Sequence, residues 1–126
     1  MKIIPHFSLK SLNTFGIDTH ADAFVSVESI DELKTALSQK DYTQKFLLGG
    51  GSNMLLTQPI PGLCIHINIK GIQLIEETDG EVIVEAMAGE NWHDFVQWTL
   101  DNNFGGLENL SLIPGNVGTA VIQNIG

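Results

Sequence analysis

The chain has 126 residues, of which 43% are hydrophobic and 17% charged, so it can bury a core and is not a disordered polypeptide. Its net charge is -9 and its six cations are scattered lysines, which excludes the basic patch that nucleic acids and anionic membranes require. Arginine is absent, so any anionic ligand must be held by backbone N–H groups, hydroxyls, helix ends or lysine.

Cysteine use and hydropathy predict where the protein works. Cys64 is the single cysteine, which excludes an internal disulfide and favours a reducing compartment. Its place in an alternating apolar stretch predicts a buried thiol rather than a nucleophile. No stretch reaches the roughly 20 apolar residues of a membrane helix, and the N-terminus lacks a signal-peptide core. We therefore expect a cytoplasmic protein.

The first half of the chain reads as strand, helix and strand, followed by glycines. Residues 23–27 have the β-branched and aromatic content of a strand. Ser29 and Glu32 form a capping-box pattern for a helix that ends before Tyr42. Residues 45–48 form a short apolar strand that leads into a glycine loop, and this order indicates a βα crossover with the loop beyond a strand's C-terminal end.

The second half changes character near Lys70. A strand is predicted over 63–69, and strands over 71–77 and 81–88 flank an Asp-Gly pair that can supply the positive φ angles of a hairpin turn. A second helix is predicted from Asn91, stopped by Gly105-Gly106. We therefore predict an α+β protein with two small α/β subdomains, residues 1–69 and residues 70–126, the second of them incomplete.

Two glycine-rich loops are the candidate binding elements. In residues 49–53, GGGSN, no lysine follows for a P-loop, and Met54 stands where a Rossmann fingerprint needs its third glycine. Consecutive glycines nevertheless let successive N–H groups form an anion nest, although a plain tight turn explains this loop equally well. Residues 114–119, PGNVGT, repeat the pattern, and residues 119–122 are predicted to open a helical turn whose amides face an anion. Neither loop is charged, so we predict that both grip one diphosphate.

Five motifs in order carry a family resemblance. They are LNTFGID (12–18), LLGGGSNMLL (47–56), IKGI (69–72), AGENWHDFV (88–96) and GLENLSLIPGNVGTAVIQNIG (106–126). Together they closely resemble the UDP-N-acetylenolpyruvoylglucosamine reductase (UDP-N-acetylmuramate dehydrogenase) family. The resemblance implies the FAD-binding fold of the vanillyl-alcohol-oxidase superfamily and FAD as cofactor.

The resemblance also implies which residues contact the cofactor. The first loop is expected to wrap the diphosphate, and the C-terminal segment is expected to line the diphosphate and the isoalloxazine. The implied cofactor-binding residues are Leu48, Gly49, Gly50, Gly51, Ser52, Asn53, Met54, Ile113, Pro114, Gly115, Val117, Gly118, Thr119, Gln123, Asn124, Ile125 and Gly126. Asn13, Thr14 and Gly16 carry the family's entry motif. The implied reaction passes a hydride from NADPH through the flavin to UDP-N-acetylglucosamine enolpyruvate during peptidoglycan precursor synthesis.

Two departures from the family limit this expectation. Val121 stands where the family usually has proline, which leaves the last loop less restricted. The family's substrate-polarising arginine and glutamate, and its proton-donating serine, lie beyond position 126, so we expect a fragment that is inactive alone. No residue of this chain is predicted to be catalytic and no metal site is expected. His93, near Glu90 and Asp94, is better explained by a helix start than by a metal.

Two alternative functions remain open at this stage, and one surface is expected. The chain can be the FAD domain of another oxidoreductase of the same superfamily, or a non-catalytic module that has lost its cofactor. Flavin titration discriminates the flavoproteins from the module. We also expect that the flavin-facing surface exposes apolar residues that can drive self-association. Those residues are Ile113, Val117, Val121 and Ile125.

Overall fold

A four-stranded sheet built from the first half of the chain positions the glycine loop. The computed structural model describes residues 1–125. The elements are β1 (Ile4–Ser8), β2 (His20–Val27), α1 (Ile30–Leu37), β3 (Lys45–Leu48), β4 (Ile60–Ile67), β5 (Ile72–Glu77), β6 (Val82–Ala86), α2 (Trp92–Asp101) and α3 (Val117–Ala120), with 3-10 turns at Lys10–Leu12 and Glu108–Leu110. The sheet order is β1-β2-β4-β3, and β5 pairs with β6 alone.

The sheet is parallel where it carries the glycine loop. Strands β2 and β3 both pair in parallel with β4, while β1 adds antiparallel to β2 at the other edge. The chain therefore runs from β2 through α1 to the parallel strand β3 on the far side of β4. This connection confirms the predicted βα crossover. The loop that follows β3 lies beyond the C-terminal end of a parallel strand, where open α/β sheets place their ligand sites.

Both faces of this sheet are buried, as its continuous apolar strands require. Leu63 and Ile65 of β4 point to one face, where Ala36 of α1 packs on them, and both are fully buried. Cys64 points to the other face and packs with Leu9 and Leu48. Burial raises the pKa of the Cys64 thiol to about 12, so the side chain is the packed, unreactive thiol that the sequence predicts.

The second lobe is built from the β5–β6 hairpin and α2. Trp92 and Phe95 of α2 lie edge to face with their ring centroids 5.8 Å apart, and they pack with Val96 and Ala120. Asn91 caps the helix by accepting a hydrogen bond from the Asp94 amide at 3.0 Å. The predicted start of α2 is confirmed, and the predicted subdomain boundary falls in the connection between β4 and β5.

Four local expectations were wrong or incomplete. Strand β1 was missed because its residues mix polar and apolar side chains without a strand pattern. It forms a strand by pairing with β2. Strand β4 begins three residues earlier than predicted, at Ile60, and ends at Ile67. The hairpin closes through Thr78 N–H to Glu81 O at 2.9 Å without a positive φ at either turn residue. Helix α2 ends at Asp101, where Asn103 takes φ 58°, so the glycines at 105–106 are not its stop.

The N-terminus of α1 carries a pH-dependent cap. Ser29 Oγ accepts from the Glu32 amide at 3.1 Å, and the Glu32 carboxylate accepts from the Glu28 amide at 2.8 Å. The Glu28 amide, and then the chain's amino terminus at 3.2 Å, lower the pKa of Glu32. A carboxylate whose pKa is lowered by folding stabilises the fold at pH values above its pKa in the unfolded chain. That stabilisation is lost as the pH falls through the pKa in the folded chain.

We expect Glu32→Gln to lower the free energy of unfolding at pH 7 and to make no difference at a pH below the folded pKa of Glu32, where both side chains are neutral. Urea unfolding at the two pH values measures this. Glu77→Gln, at the end of β5, is the matched control and should change stability little at either pH. Equal destabilisation by Glu32→Gln at both pH values would contradict the pH-dependent cap.

Candidate functional site

The first glycine loop is folded by the segment behind it. Gly51 has φ +64°, a left-handed conformation that favours glycine, and a Cβ there would meet the carbonyl oxygen of Leu12. The Thr14 amide donates to Gly51 O at 3.0 Å. The loop therefore turns sharply at Gly51 because residues 12–14 press against it.

The entry motif acts as a brace for this loop. Asn13 is buried, and its Nδ2 donates to Leu9 O at 2.8 Å and to Ile17 O at 3.0 Å, while its Oδ1 accepts from the Ile17 amide at 3.0 Å. These three bonds use both donors of the Asn13 amide and one acceptor position. The motif thus supports the cofactor loop from behind, and the Asn13 side chain has no free donor for a ligand.

The two glycine loops meet at Gly50 and Gly115. A Cβ at Gly50 would lie 3.1 Å from the Gly115 Cα and 3.2 Å from the Asn116 nitrogen. A Cβ at Gly115, where φ is +113°, would lie 2.9 Å from Ser52 Oγ. Side chains are excluded here because the two loops lie directly against each other, a contact between Gly50 and Gly115 called the seam below. The crevice for a ligand opens beside this seam.

The first loop retains free hydrogen-bond donors. Among residues 1–125, the amides of residues 50–54 donate no hydrogen bond to the protein. The Ser52 hydroxyl likewise has no protein partner in the described part of the chain, and it faces Gly115. A run of unpaired N–H groups around a left-handed glycine is the geometry of an anion nest.

The second loop differs from expectation, because the protein already uses the amides of its helical turn. The Val117 amide donates to Glu90 O at 2.8 Å and the Gly118 amide donates to Ala88 O at 3.0 Å. The Asn116 amide donates to Thr119 Oγ1 at 3.2 Å as part of a capping box, and Thr119 Oγ1 in turn donates to Asn116 O at 2.9 Å. The prediction that the α3 amides face an anion was wrong. These amides bond to protein carbonyls, and those of Val117 and Gly118 hold the turn against the segment that follows β6.

A crevice opens between β3, the first loop and α3. It comprises two adjoining cavities of about 220 and 210 Å³ that share four lining residues. The lining residues are Leu47, Leu48, Gly49, Gly51, Ser52, Asn53, Met54, Ile67, Ala88, Gly118, Thr119, Ile122 and Gln123. None of them is charged. Since the crevice offers N–H groups, one hydroxyl and apolar walls, it fits the diphosphate and apolar parts of a dinucleotide rather than a metal.

The structure brings together most of the predicted cofactor residues and separates others. Gln123 lines the crevice and donates to Pro114 O at 3.2 Å. The described apolar residues expected on the flavin-facing surface divide: Val121 is 85% exposed, whereas the others pack beneath α2. Those packed residues are Ile113, Val117 and Ile125, so their predicted exposure was wrong. Asn124 is exposed, and Gly126 lies outside the described residues.

Sequence reasoning missed the residues that hold the second loop in place. The Trp92 indole donates to Leu110 O at 2.8 Å, the Trp92 amide donates to Gly115 O at 2.9 Å, and His93 Nδ1 accepts from the Leu112 amide at 3.1 Å. Trp92 and His93 lie in the motif AGENWHDFV. From the sequence we explained this motif as the start of a helix and assigned no further role to either side chain. The only available signal was that tryptophan and histidine are unusual in the first turn of a helix.

The titratable groups lie away from the crevice walls. Burial first, and then Lys70, lower the pKa of His66, which pairs with Ser26 Oγ at 3.1 Å. Glu108 has a lowered pKa because its own amide and that of Gly106 donate to its carboxylate. In residues 1–125, no cluster of three or more potential metal ligands is present, and no helix is long and apolar enough to cross a membrane. The crevice lining carries no titratable side chain.

Comparison with known proteins assigns the chain to a family. An α+β scaffold whose parallel strand delivers a glycine nest into a charge-free crevice defines a dinucleotide-binding protein. Residues 21–126 match the family model described as "FAD binding domain". The chain therefore belongs to the FAD-binding domain family, whose cofactor is FAD, and the α+β fold predicted for it is confirmed.

The relatives narrow this class further. The chain is 61% identical over its whole length to the UDP-N-acetylenolpyruvoylglucosamine reductase of Flavobacterium johnsoniae and 48% identical to that of Pseudomonas fluorescens. It spans 37% and 38% of the lengths of those proteins. The crystal structure of the reductase from Thermus caldophilus matches 95% of the chain with a TM-score of 0.68 and 27% identity, over 40% of that protein. The resemblance inferred from the five motifs is confirmed.

Proposed function

We propose that this chain forms part of the FAD site of a reductase that converts UDP-N-acetylglucosamine enolpyruvate to UDP-N-acetylmuramate with NADPH. The activity, NADPH and the substrate come from the resemblance and from the names of relatives that the chain spans to less than half. Peptidoglycan precursor synthesis in the cytoplasm is part of the same proposal. The single buried cysteine is in keeping with that compartment.

One observation carries the proposal: the amides of residues 50–53 have no hydrogen-bond partner among residues 1–125, and three of these residues line a crevice that Thr119 of the second loop also lines. A diphosphate bound there would accept hydrogen bonds from the loop backbone and from Ser52. The apolar part of FAD would lie against Leu47, Met54 and Ile122, which line the same crevice. When bound, the flavin supplies the hydride-transfer chemistry, and these residues bind and orient it.

Binding by neutral groups predicts a distinctive response to salt. The protein carries a net charge of -9 and the crevice lining carries no cation, so a bound diphosphate gains no ion pair that salt can screen. We expect the FAD affinity to hold or to rise slightly between about 50 and 500 mM salt. An affinity that falls steeply over this range would indicate cationic partners and would contradict the backbone cradle.

Flavin titration with this chain tests the proposal. FAD fluorescence should change on saturable binding, ADP should compete, and riboflavin, which has no phosphate, should compete poorly. Ser52→Ala should weaken FAD binding about tenfold, the value of one hydrogen bond to a charged group. Thr43→Ala, an exposed hydroxyl in the loop before β3, is the control. A chain that unfolds cooperatively yet ignores FAD would favour the non-catalytic module.

A further inference from the structure

The segment from Ser111 to Gly115 holds an unusual backbone. Leu112 has φ 61°, a left-handed conformation that leucine rarely adopts, and its side chain is 78% exposed. Such a residue gains nothing from packing at that position. A strained conformation of this kind persists only when surrounding contacts fix it, and such contacts cluster at ligand sites.

One of those contacts comes from a titratable side chain. The Leu112 amide lies 3.1 Å from Nδ1 of His93. Because a backbone N–H can only donate, Nδ1 must carry its lone pair, and the ring must be neutral with its proton on Nε2. An imidazolium has protons on both nitrogens and cannot accept this bond.

The position of the contact links it to the cofactor crevice. Leu112 precedes Ile113 and Pro114, and the next residue is Gly115, which forms the seam with Gly50 and contacts Ser52. The Trp92 amide, next to His93 in the same first turn of α2, donates to Gly115 O. The first turn of α2 therefore holds the loop at both ends of this segment.

We infer that His93 is a positioning residue for the cofactor: its neutral ring fixes the Leu112 backbone and so sets the loop wall at Gly115. This inference rests on the proposed FAD site. It predicts that loss of the Nδ1 acceptor releases Leu112 and weakens FAD binding.

The charged groups around the ring are carboxylates. Glu90 precedes α2, Asp94 lies in the first turn of α2, and Glu108 lies in the 3-10 turn packed against that helix. The Glu90 carboxylate accepts from the Gly71 amide at 2.7 Å, and the Glu108 carboxylate accepts from the Gly106 amide. Within the described residues none of the three forms an ion pair with His93, so the hydrogen bond to Leu112 is the contact that a variant at position 93 tests.

Two variants separate the hydrogen bond from the bulk of the side chain. His93→Asn places an amide oxygen near the position of Nδ1 and keeps an acceptor that does not titrate. His93→Leu keeps an apolar side chain of similar size without an acceptor. FAD affinity is measured for both variants and for the unaltered chain at one pH near 8.

We expect His93→Asn to bind FAD as the unaltered chain does, because it keeps an acceptor for the Leu112 amide. His93→Leu should bind about fivefold more weakly, the value of one neutral hydrogen bond. Full affinity in His93→Leu, or a loss in His93→Asn as large as the loss in His93→Leu, would overturn the inference.

A measurement without FAD keeps the inference separate from the proposed function. Hydrogen exchange at the Leu112 amide, compared at one pH near 8, should be slow in the unaltered chain and in His93→Asn, and faster in His93→Leu. Equal exchange in all three proteins would show that His93 does not hold this amide. If none of the proteins binds FAD at pH 8, the proposed function fails, and exchange alone decides whether His93 positions the loop.

Discussion

Gly51→Ala is expected to lower the free energy of unfolding by about 3 kcal/mol or more and to abolish FAD binding. The left-handed φ of +64° costs a residue with a Cβ roughly 1–2 kcal/mol. The new methyl group would also collide with the Leu12 carbonyl oxygen. This carbonyl cannot move away, because the next residue, Asn13, is buried and fixed by its own hydrogen bonds. Urea unfolding and flavin titration measure the two effects.

Two other glycines separate the causes. Gly16 has φ +63° with open space around its Cβ position, so Gly16→Ala should show the dihedral cost alone, about 1 kcal/mol. Gly80 has neither a positive φ nor a neighbour within 4 Å, so Gly80→Ala should be neutral or slightly stabilising. The difference between Gly51→Ala and Gly16→Ala measures the steric term. Equal losses at positions 16 and 51 would contradict the close packing of the loop against its brace.

Trp92→Ala is expected to destabilise the second lobe by about 3–5 kcal/mol, the usual cost of emptying a buried aromatic site. Trp92 is 8% exposed and packs on Phe95, and its indole donates to Leu110 O. Thermal unfolding followed by circular dichroism measures the loss, which should appear as an earlier transition.

Trp92→Phe distinguishes packing from hydrogen bonding at the same position. Phenylalanine keeps most of the ring contacts but leaves the Leu110 carbonyl without its donor, so we expect a loss of about 1 kcal/mol. Trp98→Phe, at a half-buried position on the same helix, is the control and leaves this bond intact. A larger loss for Trp98→Phe than for Trp92→Phe would argue against a specific role for the indole N–H.

Together the site shows a division of labour between its two loops. Residues 50–53 keep their amides free for a ligand, and the brace at residues 12–14 fixes their conformation. The second loop uses its amides to bond Ala88 and Glu90 and contributes Thr119 to the crevice wall. Under the proposed function the first loop binds FAD and the second loop walls the crevice, so variants in the two loops should differ: changes in the first loop weaken affinity directly, and changes behind the second loop act through its placement.

Local patterns in the sequence determined the elements that depend on neighbours a few residues away. The cap at Ser29 and the cap at Asn91 were predicted because a hydroxyl or amide three residues before its amide partner is a local geometry. The strand at residues 45–48 and the glycine loop after it were predicted from apolar content and glycine spacing. The family resemblance rested on five such local motifs in a fixed order.

The tertiary structure alone decided what depends on residues far apart in the sequence. Strand β1 forms only because β2 is present to pair with it, and the Gly50–Gly115 seam joins positions 65 residues apart. The burial of Ile113, Val117 and Ile125, and the hydrogen bond from Leu112 to His93, have the same origin. Spacing along the chain reports which side chains share a helix turn or a strand face, but the partner across a crevice is fixed by packing between lobes, and no local pattern encodes it.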